Sequence, residues 1–172
     1  MQWVHAAASA VVGLALALCA PPAEALPGNV PRDEADVIRA VVASETIVGE
    51  TQKASEIQCT PAHANGLPCK LDAEFSRGIA AANAQRGYLQ CRALGFAFER
   101  CVRRREVKRR VFHRYPAAMF SRPAFSADGR SAVVFRTRYA SADRGRHEWV
   151  FLTRAGAGAP WTVTLEQLVG TF

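Results

Sequence analysis

The sequence predicts an α+β fold: two N-terminal helices packed on a C-terminal antiparallel β-meander of three to four strands, stapled by disulfides. Three observations predict it. Apolar residues recur at helical spacing only in the first half of the 172-residue chain. From Met119 onward, short stretches of β-branched and aromatic residues alternate with turn signals: Asp128-Gly129, the polar stretch 141–146 and the Gly/Pro-rich stretch 155–160. Four cysteines remain once a leader segment is set aside, and an even count behind an export signal implies disulfides. Helices first and strands later place the helices on one face of the sheet.

Residues 1–25 read as an address rather than as structure. Positions 6–20 carry no charge, and the run is short for a helix that must cross ~30 Å of hydrocarbon. Pro21 and Pro22 end it, and Ala23-Glu24-Ala25 offers the small-x-small pattern of a signal peptidase site. Cleavage is expected after Ala25, leaving 26–172 as one periplasmic or secreted domain. No Lys or Arg precedes the apolar core, a departure from the usual signal. A lipid anchor on Cys19 competes, but Leu18 before it is not the small residue such processing needs. No later stretch is apolar for the ~18 residues a spanning helix requires.

The spacing predicts a first helix over 31–48. Asp33, Glu34 and Asp36 sit where the helix dipole favours acids, Val37, Val41, Ser44 and Val48 line one face, and Gly49 stops it. Positions 51–70 read as irregular, with Pro61, Asn65-Gly66 and Pro68. A second helix is expected over 72–90, capped by Asp72 and carrying Phe75, Ile79, Ala82 and Arg86 on one line. Gly78 and Gly87 weaken it by up to ~1 kcal/mol each. Positions 91–101 fit either a strand, through alternating Leu94, Phe96 and Phe98, or a tight bend closed by its own disulfide. Strands follow over 132–139, 147–153 and 161–165, and short turns between them imply the meander. This closing stretch is similar to the hairpins of many small exported α+β domains, a likeness that carries no residue-level function.

The four mature cysteines, Cys59, Cys69, Cys91 and Cys101, allow three connectivities. Pairing neighbours, Cys59–Cys69 and Cys91–Cys101, is the simplest, and each short loop would contribute ~2–3 kcal/mol. No Cys-x-x-Cys occurs and His63 is the one nearby histidine, so neither a metal nor a cofactor is expected.

Charge is unevenly spread. Residues 26–99 carry 7 basic and 9 acidic side chains, whereas 100–172 carry 15 basic and 5 acidic. The densest run, RCVRRREVKRRVFHR over 100–114, holds eight basic residues and one acid. Neither a central strand nor a buried helix can hold such a run, so it belongs in solvent. Arg103, Arg104, Arg105, Lys108, Arg109 and Arg110 are therefore candidates for an anion-binding surface, extended by Arg136 and Arg138 two apart on one strand face. Of the 22 basic residues only three are Lys, and the Arg fork suits phosphate and carboxylate. The competing reading is a solvated face that keeps the chain in solution.

Catalytic signatures are absent: there is no Gly-x-Ser-x-Gly, His-Glu-x-x-His or Ser-x-x-Lys. The glycines at 156 and 158 precede a strand, not the helix a phosphate loop needs. The leading expectation is a small exported non-catalytic protein that docks on an anionic envelope component or an acidic protein, with nucleic acid disfavoured. A small hydrolase would instead need His63, His113 or His147 facing a carboxylate or hydroxyl across a cleft. A third reading has the 59–69 loop plug a partner's site. The oligomeric state is left open.

Overall fold

A computed structural model describes residues 31–42, 45–57, 71–89, 91, 94–96, 101–104, 117–141 and 144–172. In chain order the elements are α1 (Arg32–Val41), β1 (Thr46–Val48), a 3-10 turn (Ala54–Glu56), α2 (Ala73–Ala82), β2 (Cys101–Val102), β3 (Ala117–Phe120), β4 (Ala124–Phe125), β5 (Ser131–Tyr139), β6 (Gly145–Thr153) and β7 (Thr162–Thr171). The strands form one seven-stranded sheet in the order β2-β1-β3-β5-β6-β7, with β4 also paired to β5.

This architecture corrects the predicted fold. The protein is mostly sheet, its two helices are short, and the sheet is mixed: β1 runs parallel to both β2 and β3, while β3, β5, β6 and β7 are antiparallel. Nor do the helices share a face. Val37, Ile38 and Val41 of α1 pack with Phe120, Val134, Val150 and Leu152. Ile79 of α2 packs with Ala124, Val133, Phe135 and Trp149. Val133 and Val134 are consecutive strand residues and point to opposite sides, so α1 and α2 sandwich the sheet. Each large side chain buried in these two layers contributes ~1.5–3 kcal/mol.

Both helices are shorter than their apolar periodicity predicts, for local reasons. α1 ends at Val41 because Val42 turns extended, and the β-branched Thr46-Ile47-Val48 then enters the middle of the sheet, all three buried. β-branched residues lose less in a pleated strand than in a helix. α2 starts as predicted at an Asp72 cap, which accepts from the Phe75 N–H at 2.9 Å. It stops at Asn83, whose buried amide competes with the helix for backbone partners. Asn83 Nδ2 donates to the Ile79 and Arg122 carbonyls, both at 2.9 Å, and Oδ1 accepts from the Arg122 N–H at 2.6 Å. Gly78 also has a positive role: a Cβ there would stand 2.7 Å from the Ala124 Cβ, so the glycine lets α2 approach β4.

The 91–101 segment resolves into the second of its two readings. A disulfide joins Cys91 to Cys101 with Cα atoms 6.2 Å apart, and Cys101 itself opens β2. Cys59 and Cys69 lie outside the described residues. Among the described residues no helix is long and apolar enough to cross a membrane.

Candidate functional site

The arginines expected to form one anion-binding face part company in the structure. Arg136 is the largest fully buried side chain and belongs to no surface. Its Nε donates to Glu148 Oε2 at 2.7 Å, and its NH2 lies 2.6 Å from the same oxygen and 2.9 Å from Glu166 Oε2. Arg138, a quarter exposed, is tied to the buried Glu45. Both face the α1 side of the sheet, as their spacing predicts, but carboxylates already occupy them.

Hairpin register explains the arrangement. β5 and β6 pair so that Arg136 stands opposite Glu148, and Arg138 opposite Arg146. The first pair is complementary. The second sets like charges side by side, which is unfavourable unless each has its own counter-charge. Each does: Glu45 for Arg138, and Glu148 for Arg146, whose Nε lies 2.7 Å from Oε1. Glu148 thus bridges a buried and a half-exposed guanidinium with its two oxygens.

Arg103 is exposed at the end of β2. Arg104 beside it is engaged, donating through NH1 to both oxygens of Glu56 at 2.9 and 3.0 Å. Glu56 also takes Arg86 and the Lys53 N–H. Burial pushes the Glu56 carboxyl up, but the Lys53, Arg86 and Arg104 hydrogen bonds outweigh it and hold the group below its ordinary value. Arg105, Lys108, Arg109 and Arg110 lie outside the described residues.

What the structure does bring together is a different arginine group. At the turn end of the β5–β6 hairpin, Arg138, Arg144 and Arg146 line a groove of about 480 Å³ with Tyr139, Gly145 and Phe172. Arg144 is exposed; its carbonyl accepts from the Ala140 and Ser141 N–H groups, and its guanidinium has no partner among the described residues. Arg146 is nearly half exposed, and its ion pair with Glu148 runs through Nε. Gly145 is required here, because a Cβ would collide with the Phe172 ring and the Arg138 carbonyl. Burial raises the Tyr139 hydroxyl above its usual value, so it remains a neutral donor at physiological pH.

His147 is the one histidine among the described residues, and its hydrogen-bond partner is a hydroxyl rather than a carboxylate. Its Nδ1 lies 2.9 Å from Thr137 Oγ1, which accepts from Gln52 Nε2 at 2.8 Å. Thr137 Oγ1 keeps a proton and a second lone pair, so it can complete the contact with either tautomer of the imidazole. Burial between Phe135 and Phe172 lowers the His147 pKa and favours the neutral imidazole. Thr137 is 1% exposed, so no substrate reaches its hydroxyl. The trio is a hydrogen-bond relay that orders the sheet face, not a nucleophile and its base. His63 and His113, the other histidines a hydrolase could use, lie outside the described residues, and among the described residues no three His, Cys, Asp or Glu side chains gather as metal ligands.

Several structural cations went unread in the sequence. Arg122 grips Glu34 of α1 in a fork, Nε to Oε2 and NH2 to Oε1, both at 2.7 Å. That hydrogen bonding raises the Arg122 pKa and locks α1 to the β3–β4 turn. Arg154 lies over the Trp161 ring at 4.5 Å and donates to the Gly129 carbonyl at 2.8 Å. A signal for the Arg136–Glu148 pair was present: centring the connection between the two long strands on residue 142 sets 136 opposite 148. Nothing comparable pointed to Glu45, whose strand was read as helix. Comparison with protein-family models, with curated proteins and with solved structures finds no match.

Proposed function

We propose that the chain is an exported, non-catalytic protein that docks on a phosphate- or carboxylate-bearing partner through arginines around the β5–β6 hairpin. The observation that carries this reading is the groove in which Arg138, Arg144 and Arg146 meet, with the Arg144 guanidinium uncommitted among the described residues. Arg136 has no part in it, and Arg138 serves as a wall held by Glu45 rather than as a primary contact. The excess of 15 basic over 5 acidic residues in 100–172 adds long-range attraction. The basic run at Arg103, Arg105, Lys108, Arg109 and Arg110 is a second contact region on the sequence argument alone. Export rests on the leader read in residues 1–25, and the Cys91–Cys101 disulfide supports an oxidising compartment such as the periplasm or the exterior.

The test is binding of the 26–172 chain to vesicles of anionic and of zwitterionic phospholipid, and to a polycarboxylate, as salt is raised. Retention on the anionic surfaces should fall steeply from about 0.05 to about 0.5 M salt, because the Debye length shrinks to a few Å. Arg144→Glu should weaken binding more than Arg154→Gln, whose guanidinium is committed to Trp161 and Gly129. Equal retention on zwitterionic vesicles, or indifference to Arg144→Glu, refutes the reading.

A further inference from the structure

The two rims of the sheet are unlike. At one rim, among the described residues, β2 offers two, Cys101 and Val102. At the other, β7 offers ten, Thr162–Thr171, and among the described residues it pairs only with β6. Alternate residues of an edge strand turn their N–H and C=O outward, so β7 presents a row of unpaired backbone donors and acceptors. Edges of this length are ordinarily guarded by Lys, Pro or brevity. β7 reads TVTLEQLVGT and has neither Lys nor Pro; its two irregularities, opposite the His147/Glu148 and Phe151/Leu152 steps of β6, leave 165–168 as a regular stretch between them. Its single charge, Glu166, is matched by Arg136 at 2.9 Å. Leu165 and Leu168 flank it, 54% and 38% exposed, and their register partners Phe151 and Glu148 place them on opposite faces of the sheet.

We propose that β7 pairs antiparallel with β7 of a second copy across a two-fold axis, joining the two sheets into one. The charge pattern favours a second copy as occupant. The chain carries a formal net charge of +7, yet this rim has no unmatched charge, so here two copies approach without like-charge repulsion. The mismatch of the rims sets the symmetry. Among the described residues β2 would give head-to-tail growth of β7 a two-residue template, whereas β7 on β7 brings its regular stretch 165–168 from both copies to the seam, so the assembly closes as a dimer. The axis maps each sheet face onto itself, and each face then carries a leucine from both copies at the seam: Leu165 on the α2 side, Leu168 on the α1 side.

Sedimentation equilibrium of the 26–172 chain over rising concentration tests this, with hydrogen exchange read at the β7 amides. The expected result is a reversible monomer–dimer equilibrium, with outward β7 amides protected only in the dimer. Leu165→Lys and Leu168→Lys each set like charges across the seam and should raise the dissociation constant by about tenfold or more. Both side chains are exposed in the single copy, so the circular dichroism spectrum of each variant should match the parent. A chain that stays monomeric up to roughly 0.5 mM overturns the proposal, since a small interface would associate by then. So do a dimer indifferent to both lysines, and β7 amides equally protected in a monomeric variant.

Discussion

Replacing Glu148 with Gln keeps the shape of the side chain and removes its charge. In the parent, Glu148 is 4% exposed and its two oxygens serve Arg136 and Arg146. The two guanidiniums stand to lose very different amounts. Arg146 is nearly half exposed, and water compensates it, so its share is at most ~1 kcal/mol. Arg136 is 0% exposed, with only Glu166 and the distant Val41 carbonyl left to it. Removing one partner of a buried pair costs about 3–5 kcal/mol, because the remaining charge is stranded out of water. For a chain of this size that is a fall in Tm of about 6–20 °C. Urea denaturation followed by tryptophan fluorescence gives the midpoint, and an unchanged slope establishes that stability alone has moved. The double variant Arg136→Met/Glu148→Leu should lie within ~1 kcal/mol of the parent or above it, since the desolvated pair is gone and Glu166 is free to relax into solvent. A Glu148→Gln loss under ~1 kcal/mol, or a double variant as unstable as the sum of its two single changes, refutes the argument that stranded charge, not lost packing, sets the cost.

His147 should make stability depend on pH in a defined direction. Its folded pKa lies below the ordinary 6.5, so between the two values the unfolded chain binds more protons; stability is full above about 6.5 and falls as pH drops toward the folded value, a slope that His147→Gln should flatten in urea midpoints taken from pH 7.5 to 5. Gly78→Ala, ordinarily stabilising in a helix by up to ~1 kcal/mol, should instead destabilise by about 1–3 kcal/mol because its methyl meets Ala124, and a higher thermal midpoint in that variant contradicts the close approach of α2 to β4.

The legible part of the fold was what local chemistry dictates. Asp72 announces a cap, Asp128-Gly129 announces a turn, and the β-branched stretch ending at Tyr139 announces a strand; all three stand in the structure as such. Thr46-Ile47-Val48 misled because four-residue apolar spacing continues from Val37 through Val41 to Val48 and looks like one helix. The β-branched pull of those residues was weaker evidence in isolation than their position between β2 and β3 proves to be. Long-range pairing of this kind leaves no periodic mark. The site was legible in charge type but not in allegiance. Arg136, Arg138 and Arg104 look alike in a sequence, and only register and proximity assign them to Glu148, Glu45 and Glu56. Arg144 fell within a stretch read as a polar turn, yet its guanidinium lines the groove with no partner among the described residues.

The placement of β1 also dictates an order of assembly. Ile47 takes one neighbour from Cys101 and the other from Ala118, both far downstream, whereas β5, β6 and β7 meet through connections of a few residues. Closing small loops loses little chain entropy and closing large ones loses more, so the C-terminal hairpins are the natural nucleus and the N-terminal strand slots in last. A polypeptide emerging amino end first from a ribosome or a translocation channel therefore holds its most apolar early strand in waiting until the final third has arrived.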